Sequence, residues 1–355
     1  MGTARHGTEE VMRQPRSTDA HRGHRRTRGR RWPYVLACVV LLVGSGWLAG
    51  VVGTAERARP IHIGALTLSW GPSPTVVGLR EGLMALGYRE DQHFVLGVRF
   101  TQGDPATLPA AAQELAHAGV DLLFADSHHA AKAAPLATTQ IPIVFAAVAD
   151  PLGMGLIQSF ARPGGILTGV TTLGLELAPK RLELFRELVP GLVRVLFCYA
   201  ATDALAAAEA QDYREAARRL RMTLVEKPVR TPEEAQAALA QARRGEVDGI
   251  LKPRHVFWNI PGFMLETAVQ QAIPTLFDDV FYVERGGLVS YGPNAAEAGR
   301  QAARLVNKVL NGVAPRELPV EVNQKIELAI NLKAAEALGL TIPPALLFQA
   351  DRVIR

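Results

Sequence analysis

The sequence predicts an α/β protein built as two doubly wound, Rossmann-like lobes behind a separate N-terminal segment. Three observations carry this reading. Short, nearly continuous apolar runs alternate with amphipathic helical stretches from Ile61 to Phe277, the pattern of parallel sheets covered on both faces. The rhythm occurs twice within about 300 residues, which suits two cores of about 150 residues better than one. The first 55 residues differ from the rest in charge and hydropathy.

In that segment nine arginines lie between Arg5 and Arg31, against Glu9, Glu10 and Asp19, and an uncharged apolar run follows from Trp32 to Ala55. Basic then apolar is the layout of an export signal or a membrane anchor. Tyr34 to Val52 is 19 residues, within the about 17–25 that span a bilayer as a helix. Gly44, Gly46 and Gly50 weaken such a helix, and Gly53-Thr54-Ala55 offers small residues for cleavage before Glu56. A cleaved signal and a retained anchor both stay open. Arg25-Arg26 and Arg30-Arg31 lack the usual continuation of a twin-arginine signal. Cys38 sits at the start of the apolar run, where a lipoprotein box would lie at its end. In each case the working part is expected in the periplasm or on the outer face of the cytoplasmic membrane.

The whole chain carries 39 basic and 34 acidic residues, a net +5. The first 55 residues supply +6 of this and leave 30 basic and 31 acidic residues beyond them. The basic excess therefore belongs to the leader and gives no reason to expect nucleic-acid binding. Beyond the leader only Cys198 remains, so no intramolecular disulfide forms there, and its apolar strand marks it as a small core residue.

Ile61–Leu66 reads as a buried strand, followed by a helix from Pro74 with Leu79, Leu83 and Leu86 on one face and Gly87 as its stop. Phe94–Phe100 is a strand, and Asp104-Pro105 opens the next helix as cap and first-turn proline. Val120–Ala125 and Ile141–Ala146 are strands flanking a further helix. In the second half, Val193–Tyr199, Met222–Val229, Asp248–Leu251 and Pro274–Phe277 read as strands. Between them lie the helices Asp203–Leu220, one opened by the capping box Thr231-Pro232-Glu233-Glu234, and Ile260–Gln271. Asp278-Asp279 offers carboxylates to a ligand ammonium, or a cap from Asp278 or Asp279 for a short helix from Val280 to Glu284.

Parallel sheets bind ligands beyond the carboxyl ends of their strands. That rule nominates the segments after each strand, and with them Ser69, Trp70, Ser127, His128, Ala147, Asp150, Tyr199, Asp203, Lys252, Arg254 and Asp278, joined by Thr168, Ser290 and Tyr291. Trp70 and Tyr199 offer rings to stack on a ligand, or packing between the lobes. Lys252 and Arg254 offer bidentate or point-charge contacts to an anion, or a solvated loop.

Gly286-Gly-Leu-Val-Ser-Tyr-Gly-Pro-Asn294 resembles a signature of an ABC-transporter substrate-binding family related to tryptophan/tyrosine-binding lipoproteins. Gly82–Tyr88, Ile141–Ala147, Ala161–Gly165 with Thr168-Gly169, Lys180–Leu184, and Ile330–Ala335 with Leu338–Pro344 agree with it in one colinear order. The resemblance implies a type I periplasmic-binding fold, with two α/β lobes joined by three crossovers near Gly169–Leu173, Gly286–Leu288 and Val320–Ile326. The implied division is 1–55 as leader, 61–170 with 289–321 as lobe 1, and 171–288 with 322–355 as lobe 2. It further implies a monomer that closes around a small-molecule ligand, such as an aromatic amino acid or other carboxylate, and delivers it to an ABC permease and its ATPase. Three turns depart from the family pattern. Asp126-Ser127-His128-His129 replaces a Ser-Gly-Thr-Pro-like turn, Tyr199-Ala200-Ala201 replaces Trp-Asn-Pro, and Lys252-Pro253-Arg254-His255 is more basic than usual.

Other functions fit less well. No nucleophile elbow, Walker loop, His-Glu-x-x-His or strand-linked Gly-x-Gly-x-x-Gly occurs, so neither catalysis nor a cofactor is expected. No metal site is expected either: adjacent histidines in one turn rarely face one ion, and the sequence offers Asp126 but no evident further ligand. A membrane-anchored ligand-sensing ectodomain without transport remains the alternative if the leader is kept. A repressor needs a helix-turn-helix where this chain has its leader.

Overall fold

The computed structural model describes residues 59–69, 71, 73–172, 177–254 and 259–355. The expectations for the leader, and for Trp70, lie outside the described residues. Among the described residues no helix is long and apolar enough to cross a membrane.

The chain begins with β1 (Ile61–Thr67), α1 (Pro74–Ala85), β2 (Phe94–Phe100), α2 (Leu108–His117), β3 (Leu122–Ala125), α3 (His128–Ala137), β4 (Ile143–Val148) and β5 (Leu167–Thr172). It continues through α4 (Ala178–Leu188), β6 (Arg194–Ala200), α5 (Ala204–Arg219), β7 (Thr223–Val229), α6 (Pro232–Ala240), β8 (Gly249–Leu251), α7 (Ile260–Gln271), β9 (Thr275–Phe277), α8 (Val280–Val283) and β10 (Val289–Pro293). It ends with α9 (Ala295–Leu310), β11 (Glu321–Asn323), β12 (Ile326–Asn331), α10 (Leu332–Ala337), α11 (Pro344–Gln349) and β13 (Arg352–Ile354).

The strands form two sheets. The first runs β2-β1-β3-β4-β5-β11 with every pair parallel. The second runs β7-β6-β8-β9-β10-β12-β13, and only its β10–β12 pair is antiparallel. In both, the central strands are apolar end to end because helices cover both faces: β3 (Leu-Leu-Phe-Ala) and β8 (Gly-Ile-Leu) are buried throughout. Cys198 lies in this interior, where burial pushes its thiol up to about 12 and leaves it unreactive.

The second crossover falls later than expected. β10 pairs with β9 and β12 in the second sheet, so the chain leaves that sheet after Pro293 and not near Gly286–Leu288. Gly286, at φ 108, serves the turn between α8 and β10, and a Cβ on Gly287 would sit 2.5 Å from the Phe277 ring. Both glycines are thus explained inside the second lobe. β5 likewise runs to Thr172, just past the expected boundary at 170.

After Pro293 the chain enters α9, which packs on α1 of the first lobe. The helices touch backbone to backbone: a Cβ on Gly78 would lie 1.9 Å from Ala296 O, and one on Gly299 2.0 Å from Thr75 O. Two crossovers run side by side here. Asn294 caps α9 by accepting from Glu297 N, its Nδ2 donates to Glu327 Oε2 at 2.7 Å, and Asn323 Nδ2 donates to Asn294 O at 2.8 Å. All three side chains are buried, so each must find a partner, and they find one another across the crossing strands.

Candidate functional site

The carboxyl ends of β1, β3, β4 and β5 face those of β8, β9 and β10 across a cavity of about 630 Å³, lined by residues from both sheets. This lies within the usual size of a small-molecule pocket. From the first lobe it takes Thr67, Ser69, Ser73, Thr75, Asp126, Ser127, His128, Ala147 and Thr172; from the second, Lys252, Arg254, Asn259, Asp278, Asp279, Phe281, Tyr282 and Arg285.

Three carboxylates set its electrostatics. Asp126 follows β3 and is buried; it accepts a hydrogen bond from Thr67 Oγ1 at 2.9 Å. Burial raises its pKa to about 6, against the hydroxyls of Ser73, Thr75 and Thr67. Asp279 caps α8 by accepting from Phe281 N and also accepts from Ala295 N, yet burial and the neighbouring Asp278 raise it to about 6 as well. Asp278 behaves oppositely. Burial opposes its charge, but Lys252, Arg181 and Arg254 together hold its carboxyl below the ordinary range, and Lys252 Nζ is 2.7 Å away. Lys252 Nζ also lies 5.2 Å from the centre of the Tyr282 ring.

A second layer of charge supports that floor. Arg181 is 1% exposed; its Nε donates to Tyr291 O at 2.6 Å and its Nη1 to Tyr213 Oη at 3.0 Å. Glu209 accepts from the Arg254 backbone N–H through both oxygens. The phrases Lys180–Leu184 and Gly286–Asn294, far apart in sequence, are therefore joined by one buried guanidinium. A Cβ on Gly292 would stand 2.1 Å from Asp278 O and 2.8 Å from Arg181 Nη2, so that glycine permits the close approach.

Seven of the residues nominated from sequence line the cavity: Ser69, Ser127, His128, Ala147, Lys252, Arg254 and Asp278. Others lie elsewhere. Tyr199 is 9% exposed and packs in the second-lobe core, its ring 5.5 Å from that of Phe197 and its hydroxyl 3.3 Å from Glu226 Oε2. Thr168 is fully buried and donates to Leu318 O. Asp150 accepts from Gly153 N in its own turn. Ser290 is buried between β9 and β12, and Tyr291 offers its carbonyl to Arg181. Asp203 caps α5, its Oδ1 accepting from Leu205 N, and turns Oδ2 toward His128 and His129.

The sequence reading omitted Asp279, Phe281, Tyr282 and Arg285 from its site. Asp279 was legible both as a partner for a ligand ammonium and as a helix cap, and it is the cap; the short α8 that it caps brings the other three to the cavity wall. Arg285 lies over the Phe281 ring, 3.3 Å from its centre, and donates to Phe281 O.

A model of the ABC transporter substrate binding protein family matches residues 71–354. The chain belongs to that family. The Tyrosine-binding protein of Clostridioides difficile is 26% identical to this substrate-binding protein over 266 residues, 74% of this chain and 76% of the relative. Among solved structures, the ABC domain of Streptococcus pneumonia in complex with L-Trp is 26% identical with a TM-score of 0.72, covering 83% of this chain and all of that one. A conserved domain protein of Vibrio cholerae is 29% identical at the same TM-score and coverage. The substrate-binding protein therefore has the two-lobed periplasmic-binding fold, and its family is one of binding proteins and not of enzymes.

Proposed function

We propose that this protein captures an amino acid, aromatic or otherwise, or a related carboxylate between its lobes, outside the cytoplasmic membrane, and delivers it to an ABC permease. The observation that carries the reading is the charge pattern of the cavity. Asp126 and Asp279 come from opposite lobes, and each is raised to about 6 by burial. Lys252 already neutralises Asp278. A ligand ammonium placed between Asp126 and Asp279 would relieve two desolvated carboxylates at once and would favour closure by touching both lobes. The N-terminus of α3, with Ser127 as its cap, and the guanidinium of Arg254 offer the carboxylate its place. Phe281 and Tyr282 provide an apolar wall. The tyrosine and L-Trp named for the two relatives fit that pattern.

The division into lobes is kept, with 294–323 in lobe 1 and β10 in lobe 2, and the protein is read as monomeric. Thermal-shift and calorimetric screening of the full chain against aromatic and aliphatic amino acids, their amines and their des-amino carboxylates tests the reading. Binding of the amino acids, weakened by loss of either charged group, supports it; no response to any of them overturns it. Sequencing the mature N-terminus separates a transport receptor cut after Ala55 from an anchored sensory ectodomain.

A further inference from the structure

His128 and His129 open α3 in the first lobe, and Asp203 caps α5 in the second, so nothing in their sequence spacing relates them. The fold brings them together. His128 Nε2 lies 3.6 Å and His129 Nε2 3.4 Å from the same oxygen, Asp203 Oδ2, and the three donor atoms fall within 4.8 Å of one another. The two rings are neighbours, with centres 3.8 Å apart. Asp203 is 8% and His128 9% exposed.

Both imidazoles interact with that carboxylate across the two lobes. The separations of 3.6 and 3.4 Å also match the spacing between two ligands of one tetrahedral ion: with Zn–N and Zn–O at about 2.0–2.1 Å, neighbouring donors sit about 3.4 Å apart. The donor set suits the ion too, since two imidazoles and one carboxylate are a common three-ligand set for zinc. The other Asp203 oxygen is engaged by Leu205 N at 2.9 Å, which fixes the carboxylate's orientation.

We propose that His128, His129 and Asp203 form a zinc-class divalent-metal site whose three donors come from both lobes, so that the ion holds the lobes closed. His128 also lines the cavity. The fourth coordination position therefore opens toward it, to be taken by water or by the carboxylate of a captured solute. Adjacent histidines in one turn and no evident further ligand argued against a metal in the sequence; both rings nevertheless turn to one oxygen, and the third ligand, from the opposite lobe, is Asp203 rather than Asp126.

The test uses the full chain stripped with chelator and titrated with Zn²⁺ by calorimetry and with Co²⁺ by visible absorption. One equivalent of each should bind at the site, Co²⁺ with the intense spectrum of a tetrahedral ion. Asp203→Asn keeps a good helix cap and should weaken Zn²⁺ binding by more than the about 100-fold that loss of an outer-shell partner costs at most. His129→Ala, which removes no cap, should do the same. His117→Ala, exposed in the last turn of α2, should leave affinity unchanged. Small-angle scattering should show Zn²⁺ contracting the wild type and not Asp203→Asn. Wild-type affinity in both Asp203→Asn and His129→Ala would mean that other histidines hold the ion and would overturn the proposal, as would absence of stoichiometric binding. Binding without contraction would overturn the closing role. A solute screen in chelator separates this result from the fate of the amino-acid reading.

Discussion

Lys252 Nζ stands 2.7 Å from Asp278 Oδ1 on the floor of the cavity, the lysine side chain 3% exposed and the aspartate 18%. A buried pair of this kind contributes little net stability, but removing the lysine leaves Asp278 to Arg181 and Arg254 alone, at up to the about 3–5 kcal/mol that an uncompensated buried charge costs. Lys252→Met is expected to destabilise the fold by about 3 kcal/mol, and Lys252→Met with Asp278→Asn to recover most of that loss. Urea denaturation of the three proteins checks it. Equal losses in the single and double variants would mean that the lysine acts by packing alone.

Asp126 gives a pH-dependent expectation. Its folded pKa of about 6 lies above the ordinary 3.8, so proton binding favours the fold. The stabilising contribution is complete below about 3.8 and is lost as pH rises through about 6. Asp126→Asn mimics the protonated acid. It should match wild type near pH 4 and exceed it at pH 8 by about 2–3 kcal/mol, the worth of a shift of this size. Melting of both proteins across that range, without solute, reads the difference directly.

Tyr199→Ala should cost about 3–5 kcal/mol of stability, as for other large aromatic truncations, and leave solute affinity unchanged once folding is restored at low temperature. The reason is its position in the core beside Phe197, whose ring packs in turn against Tyr213. An affinity loss with little change in melting temperature would return the residue to the cleft.

Tyr199 also marks the limit of what the sequence reveals. β6 is apolar throughout, and a strand buried on both faces carries no alternation to say which way its last aromatic turns. Strand ends were legible for the opposite reason: Lys252 and Asp278 each break an apolar run at its carboxyl end, and both line the cavity. Gly78 and Gly299 looked like ordinary helix residues because their role depends on a helix more than 200 positions away. The meeting of His128 and His129 with Asp203 was hidden in the same way, since it depends on how the lobes close.

Gly299→Ala is expected to destabilise the first lobe by about 3 kcal/mol or more, the upper range for overpacking. The added Cβ would lie 2.0 Å from Thr75 O and 2.7 Å from Leu79 N, backbone atoms that cannot rotate away. Gly87→Ala is the informative control. Its φ of 91 costs the alanine backbone strain, but no atom lies within 4 Å of the added carbon. Gly299→Ala should be the more damaging of the two in urea denaturation; the reverse order would mean that α1 and α9 separate readily.

Ala147 occupies the left-handed region at φ 58, near the end of β4, where the register against β5 shifts between Phe145 and Val148. An L-residue pays about 1–2 kcal/mol there, whereas glycine loses about 0.5–1 kcal/mol through its freer unfolded chain. Ala147→Gly should therefore stabilise the protein by up to about 1 kcal/mol, and the β-branched Ala147→Val should destabilise it by more than that. Because Ala147 lines the cavity, the strained turn also sets the shape of its wall, and relaxing it should raise the melting temperature while weakening solute capture. A glycine variant that melts lower than wild type would show that this turn is held without strain.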